Sequence, residues 1–147
     1  MTNDSSNGVG REPLRQRALA LRKAVLVLHK ALIDSERVTF EKTMGSIPSP
    51  THFLQLLTSD PWFTWLQPLS TLIVSMDEKL ALDEPLTIED IKTLINRSAQ
   101  LLAPAEHGEG FSGHYYEALQ RDPDVVLAHA ETIRILGSMK PKPGHAT

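Results

Sequence analysis

The sequence predicts an all-α fold: a helical bundle of four main helices and two short ones, with a long helix at the N-terminus. Cap-type residues stand directly before proline at Ser49-Pro50, Asp60-Pro61 and Asp122-Pro123, and Thr87 has Asp90 three residues on, the spacing of a capping box. A Ser, Thr or Asp oxygen can take up an orphan amide of a first helical turn, and proline at the first helical position loses no bond. Between these starts the apolar residues recur at steps of three and four, which is a helical period. The starts also lie close together, so connections are short and little chain is left for a sheet.

Residues 12–44 read as one long helix ended by Gly45. Leu14, Ala18, Leu21, Val25, Leu28 and Leu32 share one face. Arg15, Arg22, His29 and Glu36 form one polar row, and Gln16, Lys23, Lys30 and Arg37 form another. Between them Leu19, Leu26, Ile33 and Phe40 repeat at steps of seven, about 150° from the centre of the main face at 100° per residue. A surface helix with one buried side needs no second apolar row. Either the helix is central, with neighbours on both sides, or the second row meets another protomer.

A short helix is expected over 50–57, with Phe53, Leu54 and Leu57 as its apolar set. After Asp60-Pro61 a stripe follows at Trp62, Trp65, Leu66, Leu69, Ile73, Met76 and Leu80; Pro68 lies within it and predicts a break or kink. Thr87 opens a helix over 88–102 whose inward set is Ile88, Ile91, Leu94, Ile95, Leu101 and Leu102. A loop at 104–113 carries glycines at 108, 110 and 113, and a short helix follows over 112–121. The last helix, 123–138, is expected to face inward through Val126, Ala130, Ile133 and Leu136. Four substantial helices and two short ones suit a bundle.

At 147 residues the chain is long enough for one domain with a real core, expected over 11–138. The polar stretch 1–10 and the Lys/Pro-rich tail 139–147 read as disordered ends. With 41% hydrophobic and 22% charged residues the composition is that of an ordinary globular protein. A net charge of −3 argues against a general nucleic-acid binder. There is no cysteine, which excludes disulfides, thiolate metal sites and a Cys nucleophile, and fits a reducing cytoplasm. The longest apolar run, 24–28, is far short of the roughly 20 residues of a membrane span.

Chemistry-bearing residues gather at 106–117. His107, Glu109, His114, Tyr115 and Glu117 there, with His129 beside the stripe of the last helix, are candidates for a small-ligand site. Imidazole and carboxylate are metal-ligand types, and His114 and Glu117 stand three apart on a helix, where they could share an ion. A di-iron bundle would need Glu-x-x-His pairs on two helices, and the chain has none. The glycine spacing matches neither a P-loop nor a dinucleotide fingerprint, so no cofactor is implied. No Gly-x-Ser-x-Gly elbow occurs.

Charge is uneven. Residues 11–30 hold six basic residues against Glu12, a balance of +5, and residues 106–131 hold six acidic residues against Arg121, a balance of −5. Opposed patches can dock within one chain or between two. The basic stretch could also contact nucleic acid, although it lacks interleaved aromatics. In the cluster Trp62, Phe63 and Trp65, the tryptophans fit the core stripe, while Phe63 points elsewhere and is the better partner contact.

The stretch Leu56-Leu57-Thr58-Ser59-Asp60-Pro61-Trp62-Phe63-Thr64-Trp65-Leu66-Gln67-Pro68-Leu69-Ser70, continuing to Asp77-Glu78, resembles a segment of small uncharacterised bacterial all-helical proteins. The resemblance implies a bacterial source; no activity, cofactor or site comes with it.

The expected function is therefore a non-enzymatic cytoplasmic interaction or regulatory module. It is expected to be a homodimer through the first helix, with Leu19, Leu26, Ile33, Phe40 and Phe63 as interface residues. The alternatives are a small-ligand or metal site in 106–117 and a nucleic-acid contact through 11–30.

Overall fold

A computed structural model describes the backbone of residues 2–82 and 84–139 and the side chains from Pro13 onward within those ranges. The described residues form seven helices: α1 (Thr2–Met44), α2 (Pro50–Ser59), α3 (Pro61–Thr64), α4 (Gln67–Ala81), α5 (Ile88–Leu101), α6 (Phe111–Arg121) and α7 (Pro123–Met139). The all-α bundle with a long N-terminal helix is what the sequence predicts. α1 starts ahead of residue 12 and takes in most of the polar stretch read as a loose end. Met139 is a buried residue of α7, and the rest of the tail, 140–147, lies outside the described residues.

Each cap forms as its chemistry requires. Ser49 Oγ accepts from the His52 amide at 3.1 Å, Asp60 Oδ1 from Trp62 at 2.8 Å, and Asp122 Oδ1 from Asp124 at 2.9 Å. Thr87 and Asp90 complete a capping box, at 3.0 Å in one direction and 2.9 Å in the other. Pro68 splits the predicted third helix rather than bending it. α3 stops at Thr64, and α4 restarts at Gln67 with the proline in its first turn, where its missing amide costs nothing.

α1 is the central element, packed against α7 and α4 and also touching α3, α5 and α6. Leu21, Val25, Leu28 and Leu32 are fully buried on it, facing Leu69, Leu72 and Met76 of α4 and Val125 and Leu136 of α7. Burial of each leucine contributes about 2 kcal/mol. A second, smaller core closes one end. Phe40 meets Trp62 edge-on at 5.3 Å and Phe63 at 5.3 Å, with Ile47 and Phe53 around them.

The polar row Arg15, Arg22, His29 and Glu36 turns out to be a seam between helices. Arg15 donates to the Leu80 carbonyl at 3.1 Å, Arg22 pairs with Asp77, and His29 Nε2 lies 3.0 Å from Ser70 Oγ, all three on α4. Glu36, nearly buried, takes Arg121 of α6 at 2.9 Å. The other row behaves as a solvated face: Lys30 pairs with Asp34 and Arg37 with Glu41 within α1 itself.

Several inward assignments are corrected. On α7 the buried set is Val125, Ala128, Thr132, Leu136 and Met139, whereas Val126 and Ile133 are 43% and 41% exposed and Ala130 is exposed. Thr132 can be buried because its hydroxyl donates to the Ala128 carbonyl at 2.9 Å. Ile88, the first residue of α5, and Leu54 on α2 are exposed rather than inward.

Candidate functional site

The 106–117 segment does not assemble the expected His/Glu site. His107, Glu109, His114 and Glu117 are all exposed, and among the described residues no group of three His, Asp or Glu side chains is placed to hold a metal. Tyr115 is fully buried and is bonded through its hydroxyl to Nδ1 of His129. Burial raises the Tyr115 pKa and lowers that of His129, which favours the neutral form of each ring. This pair joins α6 to α7 and is a packing contact.

The glycines of the loop have structural work. A Cβ on Gly113 would lie 2.1 Å from the Gly108 carbonyl oxygen, and one on Gly108 would lie 2.3 Å from Ser112 Oγ. Gly110 takes φ +64°, a conformation that favours glycine. The loop therefore folds tightly onto the start of α6. Beside it Trp65 stacks on the His114 ring at 5.1 Å and 21°, and Phe111 lies 5.4 Å from Trp65. These rings edge a groove of about 900 Å³ that Thr64, Gln67, Thr71, Arg97 and Gln100 also line.

The interface candidates sit deeper than the sequence suggests. Leu19, Leu26 and Ile33 are half-buried against the main core, so the second apolar row is largely covered by the chain itself. Phe40 is buried, and Phe63, expected to point outward, is 1% exposed and is the centre of the second core. Trp62 and Trp65, expected in the core, are half-buried. α3 ends at Thr64, so the stripe predicted from Trp62 does not run unbroken into α4: its later members Leu66, Leu69, Ile73, Met76 and Leu80 are buried, while the two tryptophans are not.

The free face of α1 is a different stripe. Arg17, Ala20, Lys23, Val27, Lys30, Asp34 and Val38 are all exposed. α7 runs antiparallel beside it, since residues 17–27 share a groove with 131–139 and residues 27–34 share one with 122–131. The two hollows, about 460 Å³ each, meet at Val27, Ala128 and Glu131. Their floor is of small residues, Ala20, Ala24, Ala31 and Ala128, which lets a further side chain approach closely. Val27 and Leu127 stand beside it 53% and 69% exposed.

The charges along this double groove are ordered. Arg17 and Lys23 stand at one end and Asp122 and Asp124 at the other. Arg134 and Glu131 neutralise each other, as do Lys30 and Asp34. Arg17, Lys23 and Asp124 have no ion-pair partner among the described residues. The basic 11–30 face is accordingly not continuous: Arg15 and Arg22 are turned to α4, while Arg17 and Lys23 belong to the groove.

Sequence reasoning did not find Arg97 or the groove beside Trp65. Nothing in a lone arginine on a predicted helix surface marks it; only the fold brings Arg97 of α5 and His114 of α6 into the lining of one groove. No helix among the described residues is long and apolar enough to cross a membrane. No protein-family model, curated protein or solved structure matches this chain.

Proposed function

We propose that the chain is a protein-interaction module that pairs with a second copy of itself through the α1–α7 groove. The observation that carries this reading is the charge order of the groove: two unpaired cations at one end, carboxylates at the other, and exposed apolar Val27 and Leu127 between them. A two-fold axis near Val27 sets two such grooves antiparallel. Arg17 and Lys23 of one copy then face Asp122 and Asp124 of the other, twice over, which is the self-complementarity an isologous interface needs. Along α1, residues 17–34 extend about 25 Å at 1.5 Å per residue, enough for a helix-on-helix seam. The alanine floor permits the close approach that such seams use.

The interface in this proposal is one stripe round from Leu19, Leu26 and Ile33. Those three are held by the chain's own core, whereas the Ala20–Val27 side is open. Light scattering on a size-exclusion column tests the proposal. Wild type is expected at twice the chain mass, and Val27→Glu or Leu127→Glu, both at exposed positions, at the single mass with the wild-type helical circular-dichroism spectrum. A monomeric wild type at concentrations up to the millimolar range removes the reading.

A further inference from the structure

We infer that the groove between the α3–α4 junction, α5 and the start of α6 is a binding site for a small aromatic carboxylate. The groove's volume, about 900 Å³, is within the range of small-molecule sites. One wall is an aromatic platform anchored in the core. Trp65 and His114 stack at 5.1 Å, Phe111 lies 5.4 Å from Trp65, and Phe111 in turn lies 5.4 Å from the fully buried Tyr115. Trp65 is only half-buried, so part of this platform is open to a flat guest. Stacking of that kind needs no rearrangement, because the rings are already set by their own contacts.

The charge on the groove selects the guest's sign. Arg97 lines it, and no Asp or Glu does. Arg15, Arg22, Arg37, Arg121 and Arg134 are all tied to carboxylates or carbonyls, whereas Arg97 has no such partner among the described residues. A free guanidinium lining the same groove as an aromatic wall matches a ring carrying a carboxylate, which it can grip through two parallel N–H bonds. Gln67 and Gln100 supply neutral donors and acceptors for ring substituents.

The test uses the full chain carrying Trp62→Phe, which leaves Trp65 as the sole tryptophan reporter, with naphthalene-2-carboxylate as the probe. Saturable quenching of Trp65 fluorescence is expected. Arg97→Gln, at an exposed position, is expected to weaken the apparent Kd by about tenfold or more, the usual worth of a hydrogen bond to a charged group. The neutral naphthalene-2-carboxamide is expected to bind about as weakly as the acid binds Arg97→Gln, and to be indifferent to that substitution. Absence of saturable quenching at millimolar probe overturns the assignment. Equal affinity for acid and amide, or for wild type and Arg97→Gln, overturns it as well.

Discussion

Gly113 packs against the backbone of Gly108 so closely that a methyl group on it would lie 2.1 Å from the Gly108 carbonyl oxygen. The obstacle is backbone, which cannot swing aside as a flexible side chain would. Gly113→Ala is therefore expected to destabilise the fold by about 1–3 kcal/mol, the usual cost of overpacking. Gly137, on α7, has nothing within 4 Å of a Cβ and sits in a helix, so Gly137→Ala is expected to stabilise by about 0.5–1 kcal/mol. Urea denaturation of the two variants checks the opposite signs. A neutral Gly113→Ala would mean that the loop does not lie against α6 as described.

Ser98 is fully buried on α5, and its Oγ is the one buried side-chain oxygen without a hydrogen-bond partner among the described residues. A desolvated hydroxyl with no partner is a cost, and alanine is the better helix former. Ser98→Ala should stabilise by about 1 kcal/mol, raising the midpoint of urea unfolding with no change in slope. A lowered midpoint would show that the hydroxyl has a partner in solution.

Two histidines make stability depend on pH. Burial lowers the pKa of both His29 and His129 from the ordinary 6.5, so the folded chain binds their protons less readily than the unfolded chain. Their contribution is fully present above about pH 6.5 and is lost as pH falls below it toward their lowered native values. Glu41 and Asp90 are held below the usual carboxylate range, chiefly by the Ile47 and Thr87 amides respectively, so their losses come at lower pH. Tm is expected to fall between pH 7 and pH 5, and the fall to shrink in His129→Gln. A Tm that is flat or rising on acidification in that window would contradict the burial of both rings.

Much of the fold was legible because capping is local chemistry. Ser49, Asp60, Thr87 and Asp122 announce their helices within three residues, and all four bonds form. Helix phase was less legible on α7, which is apolar on nearly every side. The Val126–Ile133 stripe and the true Val125–Leu136 stripe both have helical spacing, and the true one runs through Thr132, a polar residue whose bond to Ala128 is internal to the helix. The row Arg15, Arg22, His29 and Glu36 reads only as polar for a similar reason. Its partners Leu80, Asp77, Ser70 and Arg121 are distant in sequence, and only packing on both sides of α1 reveals the seam.

The candidate sites depended still more on tertiary placement. Phe63 lies deeper and the two tryptophans shallower than expected because the chain turns at Trp65 and Leu66 before α4 begins. His129 was marked by its position beside a stripe, but its partner Tyr115 is fixed by the corner at Asp122. The opposed charge patches were visible as compositions. Which cations stay free was not, since Arg121 is taken by Glu36 and Arg22 by Asp77, leaving Arg17 and Lys23 for the groove.

The most direct test of the self-association account is sedimentation of a charge-swap pair across the α1–α7 groove. Lys23→Glu sets a carboxylate against Asp122 and Asp124 of the other copy, and Asp124→Lys sets a cation against Arg17 and Lys23, so each alone is expected to sediment as monomer. The double variant Lys23→Glu/Asp124→Lys restores opposite charges across the antiparallel seam and is expected to recover the dimer, with an affinity that falls as salt is raised. If both single variants sediment as the wild type does, or the double variant stays monomeric where the wild type is a dimer, the groove is not the seam.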